Sequence, residues 1–520
     1  MKDKFLAAGA VVLAAAAIFL FNSNPGWFSF EAAGAPPAVA YPYEGTLFPP
    51  DMRSPEFRWE GAAAKWEVRL TVAGSTRAFS ASVRENRWTP PEQVWEEFKR
   101  LSGNRAAVFE VAAANAKPPS APARVGFKIS KDPVGAPLFY RAVPPGPGFP
   151  EEHQYIDVKW RLAWLSSYEP PVTVMENQPR CFNCHAVSAN GRTIGFEFNV
   201  DEKDKASYFF MRDPGRSVPV APEQLFSWNG YRPGEKVSPF QGNGSAISPD
   251  GRIIMTSGKG LTLLHSNCSD MMQYTYIMRG VLMYRTIDDP QLRVLPGGDD
   301  EKFMHAPTSW SPDGKYVYFF GGPLTEQLLK MGAEKAAGTY KEDPRQLGWR
   351  ELDKMYPFLH NIYRIPFAGG KGGRMEPLRG ASANGMSNYF PRVSPDGRWL
   401  AFTRSANGSM LIREDSDIYL VPAAGGKERK LRGNGPKADS WHSWSPNGRW
   451  LAFASKSYGT RTDIVLTHID ENGEDSPPVV LTHLRESSGL SLNLPEFFNL
   501  KPGQFLEMLP RTSEFGRPKP

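Results

Sequence analysis

The amino-acid sequence predicts an all-β fold, both from its composition and from an internal repeat. The chain has 520 residues, of which 48 are glycine, 48 are proline and 14 are tryptophan, and 12% are aromatic. This composition is typical of a turn-rich β protein rather than a helical one. One short pattern also occurs five times: a predicted strand that ends in Ser, a tight turn that contains Gly, and a second apolar strand. With only three cysteines, the chain must be stabilised by a core and not by a disulfide framework.

The N-terminus predicts export. Lys2 and Lys4 precede 17 uncharged, mostly apolar residues from Phe5 to Phe21, as in a signal peptide or a signal anchor. No cleavage site of the small-x-small type follows Phe21 directly, and this favours an uncleaved anchor. We therefore expect residues 1–31 to attach the chain to the cytoplasmic membrane. The remainder would lie in the periplasm or on the outer side of that membrane.

Residues 43–116 predict a small β-sandwich of the immunoglobulin or fibronectin type. Apolar and polar residues alternate here with the period of a half-buried strand, as at Trp66, Val68, Leu70 and Val72. The stretch from Pro90 to Arg100 is predicted to be a helical turn bounded by proline.

From about residue 130 to residue 500 the repeats predict a β-propeller. The turn glycines are spaced by 60, 63, 83 and 51 residues, and they are Gly191, Gly251, Gly314, Gly397 and Gly448. Such spacing corresponds to one four-stranded blade per repeat. Three strand-like runs between 130 and 180 supply a further blade, so we expect six blades over 130–500 and a C-terminal tail over 501–520. The longest interval holds a charged, helical insertion from Leu324 to Tyr356, either a lid or docking surface on one face or a solvated decoration.

One segment in the first repeat carries chemistry. Cys181-Phe-Asn-Cys184-His185 is a Cys-x-x-Cys-His sequence, which attaches c-type haem. The two thiols would form thioethers with the haem, and the imidazole of His185 would bind the iron. A Cys181–Cys184 disulfide or a pair of free thiols is the alternative. Zinc would need further ligands, and the third cysteine, Cys268, stands alone. The sequence thus predicts one covalently bound haem c.

The repeats resemble a known family. A Ser-Pro-Asp-Gly turn with a later Ile-Tyr-x-x-Pro strand, as in Asn361–Pro366 and Asp417–Pro422, resembles the TolB-type (PD40) β-propeller. More narrowly, residues 130–500 resemble a group of exported bacterial TolB-like proteins in which Cys-x-x-Cys-His lies in one repeat. The matching stretches are 132–141, 181–191, 386–397, 440–448, 467–470 and 493–497. This resemblance implies the fold, whereas the group has no settled biochemical role.

A second iron ligand can be predicted from the position of His442. His442 lies six residues before Gly448, as His185 lies six residues before Gly191. In a TolB-type blade the strand before this turn is the innermost, so we expect both histidines near the central channel and at the same end. The same position in the other repeats holds Ser245, Thr308 and Pro391, which are poor iron ligands. The alternatives are a hydrogen-bonded channel histidine, ligation by Met304, His305 or Met386, or an open site.

These features leave two main classes of function. The first is an exported monohaem c-type cytochrome that acts in electron transfer or as a redox module. The second is a propeller that binds a ligand or a protein partner, with the haem as a structural or sensory group. A peroxidase-type haem enzyme ranks third, because it requires an open sixth position on the iron. No Gly-x-Ser-x-Gly motif is present, so the sequence favours a carrier or a binding module over an enzyme.

The expected partners are haem, redox or other proteins of the cell envelope, and the membrane. A net charge of +6 without a long basic run does not imply nucleic acid.

Overall fold

The computed structural model describes most of the chain between residues 36 and 500. The described residues are 36–114, 121–144, 158–176, 182–198, 206–213, 222–231, 243–265, 274–337, 339, 349–408 and 413–500. The predicted export segment, residues 1–31, and the predicted tail, residues 501–520, lie outside them. Within these ranges no helix is both long enough and apolar enough to cross a membrane.

The N-terminal part consists of short strands and one helix. These elements are β1 (Ala38–Tyr41), β2 (Thr46–Phe48), β3 (Phe57–Glu60), β4 (Trp66–Val72), β5 (Ala78–Val83), β6 (Arg87–Trp88), α1 (Glu92–Ser102), β7 (Ala106–Ala113) and β8 (Ala123–Ile129). The strands form a three-stranded sheet in the order β1-β3-β6 and a five-stranded sheet in the order β2-β8-β7-β4-β5. Helix α1 starts directly after Pro91 and buries Trp95 and Phe98, which lie three residues apart on one face. Strands β1 and β8 extend beyond the predicted range 43–116.

The remaining chain is built almost entirely of strands. The first half contains β9 (Leu138–Val143), β10 (Lys159–Ala163), β11 (Val172–Met175), β12 (Phe182–Val187), β13 (Thr193–Phe198), β14 (Ser207–Arg212), β15 (Leu225–Ser227), β16 (Asn243–Ile247), β17 (Ile253–His265), β18 (Tyr274–Thr286) and β19 (Arg293–Val294). The second half contains β20 (Phe303–Trp310), β21 (Tyr316–Pro323), α2 (Glu326–Ala337), α3 (Trp349–Met355), β22 (Asn361–Pro366), β23 (Glu376–Pro377), β24 (Ser387–Val393), β25 (Trp399–Ser405), β26 (Asp417–Pro422), β27 (Arg429–Lys430), β28 (Asp439–Trp444), β29 (Trp450–Ser455), β30 (Asp463–His468), β31 (Val479–Val480) and β32 (Ser491–Phe497). Strands β22 and β26 have the bounds that the sequence predicts.

These strands pair into consecutive antiparallel sheets, which we number in chain order. Sheet 1 has the strand order β32-β9-β10-β11, and sheet 2 has the order β12-β13-β14-β15. Sheet 3 contains β16 to β19 and sheet 4 contains β20 to β23; a single parallel pairing, Gly280 with Met304, joins these two sheets. Sheet 5 contains β24 to β27 and sheet 6 contains β28 to β31. The inner strands are β32, β12, β16, β20, β24 and β28, because β12, β16, β20, β24, β28 and β32 contact one another in that order from sheet to sheet.

Apolar clusters between neighbouring sheets hold the sheets together in a ring. Sheets 1 and 2 share a cluster, as do sheets 2 and 3, 3 and 4, 4 and 5, and 5 and 6. A further cluster joins sheet 6 back to sheet 1 and continues into the N-terminal part, with Trp450 and Leu138 among its members. β32, from the end of the chain, also pairs with β9 in sheet 1, so strands from both ends of this region complete one sheet and close the ring. The fold is therefore a β-propeller.

The five predicted turns share one hydrogen-bonding arrangement. In each, the Ser side chain donates to the Asp or Asn two residues later and accepts from the backbone N–H five residues later, as when Ser394 bonds Asp396 and Trp399. Every turn glycine has a positive φ, between 67° and 78°. Glycine takes this conformation without steric cost, and this explains the repeated motif.

Two additions are attached to the propeller. The predicted insertion contains α2 and α3, and Asp353 of α3 docks on sheet 5 by accepting hydrogen bonds from Arg413 at 2.6 Å and from Asn407 at 2.8 Å. The N-terminal part docks on sheet 1 and on the segment before it. There the Asp51 carboxylate accepts the backbone N–H groups of Val134 and Gly135, both at 2.9 Å.

Candidate functional site

Each inner strand has a β-bulge, which in sheets 2 to 6 lies shortly before the turn. The pairing register shifts between Phe182 and His185, Asn243 and Ala246, His305 and Thr308, Tyr389 and Arg392, Ser440 and His442, and Asn493 and Glu496. Three non-glycine residues take a positive φ at these bulges, namely Phe390 (53°), Trp441 (49°) and Leu494 (50°). A bulge bends a strand and turns the next side chain to a new direction. Both predicted haem-site histidines, His185 and His442, directly follow a bulge.

His185 lies in the apolar cleft between sheets 1 and 2. It pairs with Phe196 of β13. Its ring contacts Phe139 of β9 and Trp160 of β10 edge-on, with ring centroids 4.8 Å and 5.0 Å apart. Phe498, which follows β32, lies within 6.2 Å of the same ring. The imidazole is therefore enclosed by aromatic side chains.

The imidazole of His185 is buried, and neither of its ring nitrogens has a hydrogen-bond partner in the described part of the chain. Burial lowers the pKa of His185 to about 3, and the positive charges of Arg392 and Arg141 act in the same direction. The ring is thus neutral at neutral pH, which is the form that binds a metal ion. A buried polar group without a partner costs about 1–3 kcal/mol, so binding of a ligand to this nitrogen would recover part of that cost.

His442 occupies the equivalent position on sheet 6. It pairs with Phe453, as His185 pairs with Phe196, and it is also buried. Burial lowers the pKa of His442 to about 3; the backbone carbonyl of Ala401 opposes this shift, and the charge of Arg392 adds to it. No hydrogen bond of good geometry reaches either ring nitrogen from the described residues.

The structure places the two histidines in different clefts. The partners of His185 belong to sheets 1 and 2, whereas Ala401, beside His442, belongs to the cluster that sheets 5 and 6 share. No described contact joins the two rings. Each ring lies against the preceding sheet: His185 contacts Phe139 and Trp160 of sheet 1, and His442 lies beside Ala401 of sheet 5. That both histidines lie near the central channel and at the same end stays a prediction. Their positions on the inner strands are equivalent, as the spacing predicts.

The other predicted residues are distributed as follows. Cys181 and Cys268 lie outside the described residues, and Cys184 lies in β12 at its bulge. Among the alternative ligands, Met304 and His305 are buried in sheet 4, where Nδ1 of His305 is 2.9 Å from the backbone oxygen of Gly280. Met386, half-buried, lies directly before β24. In the described residues no three His, Cys, Asp or Glu side chains come together as a metal site.

Three charged residues near these histidines were not predicted. Arg141 of β9 is buried in sheet 1, and Arg392 of β24 forms an ion pair with Glu496 of β32, with Nη2 and Oε2 3.3 Å apart. Arg392 lies five residues before Gly397, one position closer to the turn glycine than His442 lies to Gly448, so a comparison of the neighbouring position in each repeat would have found this arginine. Glu496 follows no turn motif, and only the pairing of β32 with sheet 1 assigns its position.

The residues present fit a haem in their chemistry. The neutral imidazole of His185, which has no hydrogen-bond partner among the described residues, could bind the iron, and the aromatic side chains around it exclude water. Arg141 and Arg392 supply positive charge near His185, which would suit the carboxylates of a haem.

No known protein family matches the sequence, and no curated protein is similar to it. Several solved structures share part of the fold. TolB from Acinetobacter baumannii is 13% identical, with a TM-score of 0.40 over 76% of this chain and 79% of that one. A TolB homologue from Agrobacterium tumefaciens, described as putative, is 15% identical, with a TM-score of 0.36 over 66% and 88% of the two chains. A 6-phosphogluconolactonase from Bacteroides uniformis, also described as putative, is 12% identical, with a TM-score of 0.33 over 83% and 98%. At these TM-scores the fold rests on the sheet order described above.

Proposed function

We propose that this protein is an exported c-type cytochrome with one haem, and that it transfers electrons to or from a protein partner in the cell envelope. Cys181 and Cys184 would hold the haem covalently and His185 would bind its iron. The observation that carries the proposal is the Cys-x-x-Cys-His sequence, whose histidine is neutral, buried and without a hydrogen-bond partner in the described residues. The haem, when bound, supplies a one-electron redox centre.

The scaffold in this proposal is a six-bladed, TolB-like propeller behind an immunoglobulin-like sandwich. Six sheets, each with an inner strand and an apolar cluster on both sides, support the number of blades. In the N-terminal part, β2 runs parallel to β8 at the edge of the larger sheet, and antiparallel pairs follow. Two such sheets are the architecture of an immunoglobulin-like domain. The N-terminal export segment would anchor the chain on the outer side of the cytoplasmic membrane.

We also propose His442 as the second iron ligand, which requires its side chain to change direction. Its ring would have to turn from the cleft between sheets 5 and 6 into the channel, because His185 lies between sheets 1 and 2. In favour of this movement, the ring is neutral, and its contacts with the backbone carbonyls of Ala401 and Phe390 lack the geometry of a good hydrogen bond. Two histidine ligands would close the iron to substrates, and this is the arrangement of an electron carrier rather than of a peroxidase.

An optical redox titration tests the electron-carrier function. We expect the haem-loaded protein to be reduced and reoxidised reversibly by one electron, with low-spin spectra in both states. The reduced form should bind carbon monoxide poorly, because both axial positions are occupied. A high-spin parent that binds carbon monoxide quickly would overturn the electron-carrier proposal in favour of a sensor or an enzyme.

The His442→Ala variant tests the second ligand. We expect it to convert the low-spin spectrum to a high-spin one and to allow fast binding of carbon monoxide. His305→Ala, whose ring is fixed by Gly280 in another sheet, is the matched control and should keep the parent spectrum. An unchanged low-spin spectrum in His442→Ala would assign the sixth position to another residue, with Met386 the next to test.

A further inference from the structure

The inner strands can be compared at the position two residues after the positive-φ residue of the bulge. Arg392 follows Phe390 by two residues, Ser443 follows Trp441, and Glu496 follows Leu494. Counting from the turn glycines gives the same position in the other three strands. The six residues are Ala186, Ala246, Ser309, Arg392, Ser443 and Glu496. Four of them are small, so the two charged side chains are exceptional.

These two charged side chains meet across an intervening sheet. Arg392 belongs to sheet 5 and Glu496 to sheet 1, yet Nη2 of the arginine lies 3.3 Å from Oε2 of the glutamate. The ion pair therefore passes the inner strand of sheet 6, where the equivalent residue is only Ser443. A small residue at that position leaves room for the long arginine side chain.

Each member of the ion pair also faces one histidine cleft. Arg392 pairs with Ala401, which belongs to the apolar cluster around sheets 5 and 6, where His442 lies. Glu496 pairs with Phe139, whose ring contacts His185. In agreement with this geometry, the charge of Arg392 lowers the pKa of both histidines. The ion pair thus lies near both proposed iron ligands.

Arg392 can exchange its present partner for another carboxylate. Its side chain is 36% exposed, whereas that of Glu496 is 17% exposed. Burial raises the pKa of Glu496, and the positive charge of Arg392 opposes this shift. A haem propionate is a carboxylate as well, and guanidinium groups bind carboxylates strongly.

Resting on the proposed function, we propose that Arg392 is the positioning residue that holds a haem propionate, in competition with Glu496, and that this pair sets the reduction potential of the iron. A cation beside the haem stabilises the form that carries one more electron. Loss of Arg392 should therefore lower the potential. Loss of the competing Glu496 charge should raise it.

The experiment is an optical redox titration of the haem-loaded full chain and of four variants. We expect Arg392→Gln to shift the reduction equilibrium at least about tenfold toward the oxidised form, equivalent to about 59 mV for one electron. Arg392→Lys should retain most of the parent potential, and Glu496→Gln should shift it in the opposite direction. Arg398→Gln, which removes an exposed arginine paired with Asp396 at 2.7 Å beyond the same strand, is the control and should leave the potential unchanged.

If the role of the ion pair is electrostatic, the reduction potentials of Arg392→Gln and Glu496→Gln shift in opposite directions from that of the parent. If the substitutions only loosen the structure, both potentials shift in the same direction. Shifts of the same sign, or none beyond that of Arg398→Gln, would overturn the inference. Haem stain on denaturing gels, recorded for every variant, separates this failure from that of the proposed function. A parent without covalent haem would overturn the proposed function itself.

Discussion

At the scale of single residues, His185 and His442 differ from His305, His360 and His468 in how their ring nitrogens are satisfied. His305 and His360 each use one ring nitrogen with a backbone carbonyl, and His468 bonds the Asp132 carboxylate at 2.8 Å. His185 and His442 have no such partner in the described residues. Burial without a partner is costly, and functional sites are where such costs are retained.

Another buried group, Asp439 at the start of β28, predicts a pH dependence of stability. Burial raises the pKa of its carboxyl to about 7, against hydrogen bonds from Ser455 and from the backbone of Gly435. The raised pKa means that the folded state binds this proton more tightly than the unfolded state, whose carboxyl titrates near pH 4. Stability is therefore lost as the pH rises from about 4 through 7, by up to about 1.4 kcal/mol per pH unit.

The Asp439→Asn variant removes this titration. We expect the urea midpoint of the parent to fall relative to that of the variant between pH 5 and pH 8. Asp313→Asn is the control, because the pKa of Asp313 is held at about 2 by Ser311 and the backbone of Lys315, and it is ionised in both states over this range. The urea midpoint of Asp313→Asn should change with pH in parallel with that of the parent. A parallel curve for Asp439→Asn would refute the assignment.

At the scale of elements, the turns were predictable from the sequence, whereas the direction of the histidines was not. A Ser-Pro-Asp-Gly turn is a local structure, fixed by residues within six positions of one another. The bulges before the turns depend on pairing with the next strand, and residues such as Phe390 and Trp441 do not indicate a positive φ.

The turn glycines allow a direct comparison of conformational strain with packing. Gly191 and Gly314 both have a φ of 69°, and an added Cβ at Gly314 meets nothing within 4 Å. At Gly191 the same atom would overlap the backbone oxygen of Asn499, just beyond β32. We expect Gly314→Ala to cost about 1–2 kcal/mol from backbone strain alone and Gly191→Ala to cost more. Equal urea midpoints for the two variants would contradict this packing of the chain end on sheet 2.

At the scale of the whole molecule, closure of the ring depends on the last strand. β32 pairs with β9 along its length, and Arg161 of sheet 1 binds Glu486, before β32, through two bonds of 2.9 Å. Phe498 also stacks on Phe139, with centroids 4.7 Å apart. These contacts join residues that are far apart in the sequence. The repeats therefore predict that the ring must close, but they do not specify the register of the closing strand.

A chain that ends at Ser488 should therefore fail to fold into soluble protein. Removal of β32 leaves the backbone groups of β9 unpaired and opens the cluster between sheets 1 and 2, which favours aggregation. A chain that ends at Leu500 keeps β32 and is the matched control. The soluble fraction and size-exclusion profile of each protein give the measurement. A soluble, monomeric protein ending at Ser488 would show that closure does not need β32.

Covalent haem attachment tests the central claim most directly. The protein should be produced in a host with the cytochrome c maturation machinery and analysed by denaturing electrophoresis with a haem stain. We predict that the parent retains one haem per chain and that the double variant Cys181→Ala, Cys184→Ala retains none. Folded but colourless parent protein from that host would contradict the account, and a disulfide-bearing interaction module would then replace the cytochrome.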